Sequence, residues 1–192
     1  MKKIITLLLS ICLVVPFVNG CGSSEAESEK VLRIAYFPNI THTQALIMKE
    51  QKLLEEALPD WKIVWQSFNS GTVEVEAFFA GELDLGYIGP VPAVSAASKS
   101  NGDIRILAGA TNGGSVLVAK ADSGITSVSD LSGKKVAVPS MGNTQHLLLC
   151  KLLKDNNLKA QAAGGDVEVK AVANADTIQL MESGSIDAAL VP

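Results

Sequence analysis

The sequence is poor in cysteine, with three among 192 residues. Cys12 lies in an N-terminal apolar segment and Cys21 directly follows that segment, so Cys150 alone remains in the main body of the chain. A single cysteine there excludes an internal disulfide. Cys150 lies in a leucine-rich stretch, where cysteine usually packs as a small apolar side chain.

The chain also lacks a block of basic residues. Its 16 lysines and arginines and 20 acidic residues give a formal net charge of −4. The first twenty residues contain Lys2 and Lys3 and no acid, so leaving them out changes the charge from −4 to −6. A mildly acidic body without a basic cluster argues against nucleic acid or an anionic membrane surface as a partner.

Several signatures of catalysis are missing. The sequence contains no P-loop, no nucleophile elbow and no zinc-ligand spacing. Its two histidines, His42 and His146, fall at adjacent rather than equivalent positions of the internal repeat described below, so they are not expected to share a metal. The sequence therefore predicts neither an enzyme nor a bound metal or cofactor.

The N-terminal apolar run is too short to span a bilayer. It covers residues 4–17, whereas a transmembrane helix needs about 20 residues. With Lys2 and Lys3 before it and small residues after it, the run is typical of a secretory signal. The following Val18-Asn19-Gly20-Cys21 resembles the bacterial lipobox, which implies a lipidated Cys21. Residues 21–30 are polar and acidic and predict a flexible tether, so the signal peptide is expected to cover residues 1–20.

A strand-to-helix joint at residues 136–151 organises the main body. A β-branched run ends at Pro139, a polar turn follows, and an apolar helical pattern begins near Thr144. Open parallel sheets bind ligands at the carboxyl ends of their strands. The free N–H groups and the positive dipole end of a helix N-terminus favour an anion. The joint therefore predicts a site for a small anion.

A second joint with the same pattern occurs upstream. Pro38 precedes Pro139 by 101 residues (139 − 38), and Gly81 of a Gly-Glu-Leu-Asp segment precedes Gly184 of a Gly-Ser-Ile-Asp segment by 103 (184 − 81). A period near 100 residues indicates two lobes of similar wiring rather than a solenoid. Asp84 and Asp187 recur within this repeat, so they are interpreted as structural residues and not as a catalytic pair.

Hydrophobic patterning predicts strands that alternate with helices, which is typical of α/β lobes with mostly parallel sheets. Lobe one is expected over residues 31–113, and a crossing strand followed by lobe two over residues 114–192. The Asn112-Gly113-Gly114 segment either lies near a hinge or is a hairpin turn. Predicted strands are 31–37, 61–68, 84–88, 104–111, 115–121, 136–139, 167–172 and 187–191; predicted helices are 43–58, 73–80 with Thr72 as N-cap, 91–98, 127–133, 143–156 and 175–182.

Four segments, residues 33–42, 81–86, 130–138 and 184–192, together resemble one family. Their order and spacing are similar to those of the extracytoplasmic solute-binding proteins of ABC importers, in the nitrate, sulfonate, taurine and bicarbonate branch. The resemblance implies a two-lobed type II periplasmic-binding-protein fold with the ligand between the lobes. Members of that branch continue beyond the position of Pro192, so the resemblance also implies a longer protein and an incomplete second lobe here.

The resemblance and the helix N-termini together indicate one set of ligand contacts in the loops after the predicted strands. Thr43 and Thr144 have helix capping as an alternative or additional role. The predicted ligand-binding residues are Pro38, Asn39, Thr41, His42, Thr43, Ser70, Gly71, Thr72, Gly89, Pro90, Ser140, Gly142, Asn143, Thr144 and Gln145.

The function implied by the resemblance is capture of a small oxyanion or sulfonate, such as nitrate, taurine, an alkanesulfonate or bicarbonate. The protein would be a lipid-anchored extracytoplasmic monomer that delivers this ligand to an ABC permease and its ATPase. One alternative is a thiamine-precursor (pyrimidine) binding protein or synthase with the same architecture, although such synthases act in the cytosol and the secretory signal counts against them. A second alternative is an anchored sensor that binds ligand without transport.

Overall fold

The computed structural model describes residues 29–192. The predicted signal peptide, the lipobox cysteine Cys21 and most of the tether lie outside the described residues. Within residues 29–192, no helix combines the length and the apolar composition that crossing a membrane would require.

A three-stranded parallel sheet forms the centre of lobe one. Strand β1 (Lys30–Tyr36) lies between β2 (Trp61–Ser67) and β3 (Leu85–Gly86). Chain reversal from the end of one strand to the start of the next parallel strand requires crossover connections. Helices α1 (Thr43–Glu50), α2 (Leu53–Ala57), α3 (Gly71–Phe79) and α4 (Pro90–Lys99) follow these strands.

A four-stranded sheet forms the centre of lobe two. Its strands are β4 (Val116–Ala119), β5 (Lys135–Val138), β6 (Glu168–Ala171) and β7 (Ala188–Val191), in the order β4-β7-β5-β6. β5 is parallel to both β6 and β7, whereas β4 is antiparallel to β7. Helix α5 (Thr144–Asp155) follows β5, and helix α6 (Asn174–Glu182) follows β6. Short 3₁₀ turns cover Ile40–His42, Val128–Leu131 and Gln161–Ala163.

The core of lobe two shows why α5 lies where it does. Leu149 and Leu153 are fully buried and stand four residues apart, so they share one face of the helix. This face packs in one cluster with Val136 and Val138 of β5 and Leu190 of β7. The packing fixes the helix against the sheet, so its N-terminus stays at the carboxyl end of β5.

In each copy of the repeated Gly-x-x-Asp segment, the aspartate bonds to both backbone groups of one residue in a neighbouring strand, an arrangement called a clamp below. The Asp84 carboxylate accepts the N–H of Arg33 at 2.8 Å, and the Asp84 N–H donates to the Arg33 carbonyl at 3.0 Å. Asp187 makes the same two bonds with Lys135, at 2.7 and 2.9 Å. Each clamp ties the entry of β3 or β7 to the central strand of its sheet. The two aspartates therefore have matching structural roles.

Most predicted elements occur within two residues of their predicted ends, but the strand expected at 104–111 is wrong. No strand is present there, and Leu107 is 78% exposed. An apolar segment forms a strand only where a neighbouring strand offers free backbone N–H and C=O groups for pairing. The edge strand of the lobe-one sheet, β3, is only two residues long, so it offers few such groups. Side chains hold the end of this segment instead, since Thr111 Oγ1 donates to the Thr41 carbonyl at 2.7 Å. Because β4 pairs with β7, the Asn112-Gly113-Gly114 segment is not a hairpin turn between strands 104–111 and 115–121.

Two helix predictions also need correction. The helix expected over 43–58 breaks between α1 and α2, because Lys52 has a left-handed backbone with φ of 55°. Ser70, not Thr72, is the N-cap of α3, since the helix already begins at Gly71. A Cβ at Gly71 would collide with the ring of Pro92, so glycine allows α3 to approach α4 closely.

Candidate functional site

A small cleft, with a cavity of about 50 Å³, lies between the two lobes. Residues that follow the carboxyl ends of all six parallel strands contribute to it. Open parallel sheets bind ligands at this end, so the location itself is typical of a binding site. The lining residues are Phe37, Asn39, Thr41, His42, Asn69, Ser70, Gly71, Gly89, Pro92, Pro139, Asn143, Thr144, Gln145, Asn174 and Pro192.

Five helices begin at this cleft. The N-caps of α1, α3, α4 and α5 are His42, Ser70, Gly89 and Asn143, and α6 starts at Asn174. All five residues line the cavity. Each helix N-terminus carries a partial positive charge. First-turn N–H groups of α3, α4, α5 and α6 lack partners within their helix, whereas α1 continues the 3₁₀ turn before it and the Thr43 N–H already donates to the Ile40 carbonyl. Their convergence gives the cleft a positive potential without a positively charged side chain.

No lysine, arginine, aspartate or glutamate is among the lining residues. The one titratable side chain there is His42, which is buried. Its Nδ1 accepts the N–H of Phe37 at 3.1 Å, and its ring stacks on Phe37 with centroids 4.4 Å apart. Burial lowers the pKa of His42 to about 4, so the imidazole is neutral at physiological pH. Since Nδ1 accepts a hydrogen bond, the proton resides on Nε2, which remains a donor.

Hydroxyl groups join the lobes beside the cavity. Thr72 Oγ1 of α3 lies 3.1 Å from both Ser70 Oγ and Ser140 Oγ, and Ser140 belongs to the other lobe. The N–H of Val91 in α4 donates to Thr144 Oγ1 of α5 at 3.4 Å. These polar contacts link the two lobes directly beside the cavity.

The loop before α5 is held by amide hydrogen bonds. Asn143 Oδ1 caps the helix by accepting the N–H of His146 at 2.8 Å, and its Nδ2 donates to Gln145 Oε1 at 3.2 Å. Gln145 Nε2 in turn donates to Ser115 Oγ at 3.0 Å, at the start of the crossing segment. Asn143 is therefore the cap of α5, and the capping role considered for Thr144 is wrong. Gly142 has φ of 80°, a conformation that favours glycine.

The structure brings most of the predicted ligand-binding residues together. Nine of them line the cavity: Asn39, Thr41, His42, Ser70, Gly71, Gly89, Asn143, Thr144 and Gln145. Thr72 and Ser140 adjoin it through the hydroxyl contacts described above. Four lie outside the lining, namely Pro38, Thr43, Pro90 and Gly142. Thr43 Oγ1 donates to the carbonyl of Ile40 instead, and its N-cap is His42.

Sequence reasoning missed six lining residues: Phe37, Asn69, Pro92, Pro139, Asn174 and Pro192. A signal for Asn174 was present in the repeat. The offset of 103 that relates Gly81 to Gly184 also relates Gly71 to Asn174 (174 − 71). Gly71 was predicted as a ligand contact, so the repeat indicated a counterpart in lobe two.

Among the residues that the structure describes, no three histidine, cysteine or acidic side chains are grouped to hold a metal ion. His146 and Cys150 lie one turn apart on α5, with Sγ 3.8 Å from Nε2. Cys150 is half-buried and therefore only partly fulfils its expected packing role.

The two lobes and the cleft between them define an α/β periplasmic-binding-protein fold. The alkanesulfonate-binding protein SsuA from Xanthomonas axonopodis pv. citri, solved with MOPS bound, superposes with a TM-score of 0.67 at 26% identity, over 84% of this chain and 54% of that chain. The periplasmic aliphatic sulphonate binding protein SsuA from Escherichia coli gives a TM-score of 0.59 at 28% identity, over 85% of this chain and 54% of that chain. The fold class predicted from sequence is confirmed.

The chain belongs to the NMT1-like family, whose model matches residues 25–192. A curated relative from Escherichia coli strain K12, named for the binding of aliphatic sulfonates, is 30% identical over 191 residues, which are 98% of this chain and 56% of that protein. The taurine-binding periplasmic protein of the same strain is 32% identical over 128 residues, 66% of this chain and 38% of that protein. The chain thus spans about half the length of the relative that is named for binding aliphatic sulfonates.

Proposed function

We propose that this protein is an extracytoplasmic substrate-binding protein of an ABC importer, which captures a small sulfonate or related oxyanion in the cleft between its lobes. The convergence of five helix N-termini on an uncharged cavity is the observation that carries this proposal. Backbone N–H groups bind an anion without a full counter-charge, which suits a protein that must later release its ligand.

Two further features support an anion as the ligand. The neutral His42 contributes a donor at Nε2, and the amide groups of Asn39, Asn143 and Gln145 add directional hydrogen-bonding groups. The cavity is small, so it suits a compact headgroup such as a sulfonate. The relatives named above are binding proteins, which favours binding over catalysis.

Isothermal titration of the full-length chain tests the ligand class. We expect taurine or ethanesulfonate to bind, and Thr144→Val to weaken that binding roughly ten- to hundredfold. The reason is that the substitution keeps the shape but removes a hydroxyl, and a hydrogen bond to a charged group contributes about 1.5–3 kcal/mol.

The matched control is Thr126→Val, the same change at an exposed threonine that bonds to Asp130 and lies outside the cleft lining. We expect the control to bind like the parent. Nitrate and bicarbonate serve as alternative oxyanions in the same titration. Failure of all four anions to bind, or equal affinity in Thr144→Val and the parent, would place the function elsewhere.

Anchoring through Cys21 and delivery to a permease and its ATPase complete the proposal. The N-terminal signal pattern and the lipobox-like Val18–Cys21 segment support the anchor. We expect the parent to fractionate with membranes and Cys21→Ser to be released or left unprocessed, because the serine has no thiol to lipidate. Cys150→Ser is the matched control and should fractionate like the parent. Membrane fractionation with immunoblotting distinguishes these outcomes, and identical behaviour of Cys21→Ser and the parent rules out the anchor.

A further inference from the structure

Two asparagine side chains reach the cleft from opposite lobes, and each has a buried polar atom without a hydrogen-bond partner. They are Asn39 of lobe one, through Nδ2, and Asn174 of lobe two, through Oδ1. Both residues line the cavity, and both also line a larger groove that adjoins it. Buried polar atoms are nearly always paired in folded proteins, so two orphans at one site call for a missing partner.

The orientation of the Asn39 amide is set by its neighbours. Its Oδ1 accepts both the N–H of Thr41, at 3.0 Å, and the Thr41 hydroxyl, at 2.7 Å. The carbonyl side of the amide is therefore committed to the turn that leads into α1. Nδ2 is left as a hydrogen-bond donor with no partner in the protein.

Asn174 presents the opposite chemistry. It is the first residue of α6 and lies three residues after the end of β6, at the repeat position that Gly71 occupies in lobe one. Its unpaired buried atom is the carbonyl oxygen Oδ1, which can only accept a hydrogen bond. The cleft thus holds an unpaired donor on one side and an unpaired acceptor on the other.

We propose that Asn39 and Asn174 bind two different groups of one ligand. Asn39 Nδ2 donates to an oxygen of the anionic headgroup, and Asn174 Oδ1 accepts from an N–H or O–H group carried near that headgroup. The inference rests on the proposed function and narrows its ligand class. Sulfonates that also carry an amine or a hydroxyl satisfy both orphaned atoms, whereas a plain alkanesulfonate satisfies one and leaves the Asn174 carbonyl desolvated.

Taurine (2-aminoethanesulfonate) and ethanesulfonate are the probes, because they differ only in the amine. Isothermal titration of the full-length chain should show taurine binding at least about tenfold more tightly. In Asn174→Leu, which has similar size and no polar atom, the preference for taurine over ethanesulfonate should be lost, because the acceptor that distinguishes the two ligands is gone. A preference retained in this variant contradicts the inference.

Asn39→Asp tests the other side of the cleft. The aspartate keeps Oδ1 as the acceptor for Thr41 and replaces the donor Nδ2 with a second oxygen. We expect it to weaken taurine and ethanesulfonate alike, by more than tenfold, because both present the same sulfonate to Asn39. A selective loss of only one of the two ligands contradicts the assignment of Asn39 to the headgroup.

Asn174→Asp keeps the acceptor and adds a negative charge, so it should preserve or increase the preference for taurine. It also decides the matter if Asn174→Leu does not fold, since a lowered preference in Asn174→Asp contradicts the inference. Equal binding of both sulfonates by the parent overturns the inference and leaves the proposed function standing. Absence of any sulfonate binding by the parent overturns both.

Discussion

Two buried titratable side chains, His42 and Glu74, have pKa values moved away from their usual range. Burial lowers the pKa of His42 to about 4 and raises the pKa of Glu74 to about 8. Glu74 lies in the first turn of α3, is 0% exposed, and has no hydrogen-bond partner at either carboxylate oxygen. Its side chain packs against Gly86, where no larger residue would fit beside it. Both residues are therefore uncharged in the folded protein at neutral pH.

Glu74 should make the protein less stable as the pH rises. Because its pKa is about 8 when folded and near 4.5 when unfolded, the folded state holds a proton that the unfolded state has released over this range. The Glu74 contribution to the free energy of unfolding therefore falls between about pH 4.5 and pH 8, by up to about 1.4 kcal/mol per pH unit, whereas the lowered pKa of His42 contributes in the opposite direction below about pH 6.5. Glu74→Met keeps the volume without the carboxyl and should remove this slope. Urea unfolding at pH 5 and pH 8 measures it.

Glu76→Met is the control for that experiment, because Glu76 is exposed on the same helix. The control should retain the parental difference in stability between pH 5 and pH 8. A Glu74→Met protein with the same difference as the parent would show that the Glu74 carboxyl does not titrate as described.

At the scale of single residues, the sequence predicted which loops form the cleft better than it predicted the chemistry of their side chains. Ser70, Gly89 and Asn143 follow strands with clear patterns, so their positions were readable. The lowered pKa of His42 was not, because it depends on burial in the folded protein. Asn174 stands at a helix start with no distinctive local motif, so only the repeat offset of 103 residues from Gly71 indicated it.

Helices α4 and α5 meet at the boundary between the lobes, and glycine at position 89 permits that contact. A Cβ at Gly89 would collide with Thr144 Oγ1. Gly89 has φ of −67°, so alanine would be accepted by the backbone itself. The side chain of Thr144 is therefore what restricts position 89.

Gly89→Ala should weaken sulfonate binding by pushing the two helix N-termini apart. Overpacking of this kind costs about 1–3 kcal/mol, which corresponds to roughly a ten- to hundredfold loss of affinity. In a Thr144→Ala background the colliding hydroxyl is gone, so the added effect of Gly89→Ala should shrink. Isothermal titration of the two single variants and the double variant measures this coupling. Purely additive effects contradict the contact.

Helices and strands that two independent sequence signals support were predictable. Strands that also need a neighbouring strand for pairing were not. α5 combines an apolar stripe with Asn143 as cap, and its observed ends differ from the prediction by one residue. The apolar run at 104–111 has strand composition, but a strand also needs a neighbouring strand with which to pair. The break at Lys52 reflects its left-handed backbone conformation, which composition does not show.

At the scale of the whole molecule, the repeat explains how one cleft acquires helix N-termini from both lobes. Matching Asp84 and Asp187 clamps hold the strands of each sheet in similar arrangements. The helices that follow β1, β2, β3, β5 and β6 consequently start at the same edge of their sheets. The sequence showed this through its period near 100 residues. The proposed boundary between the lobes, at residues 113 and 114, stays a prediction.

The central claim is that an anion binds between the lobes at these N-termini, and amide chemical shifts test it most directly. Taurine is titrated into the ¹⁵N-labelled full-length chain while backbone N–H resonances are followed. We expect the largest shifts at first-turn amides of both lobes, including Gly71, Thr144 and Asn174, because each is the first residue of a helix and lines the cavity. Shifts confined to one lobe, or the absence of shifts at saturating taurine, would contradict an interlobe anion site.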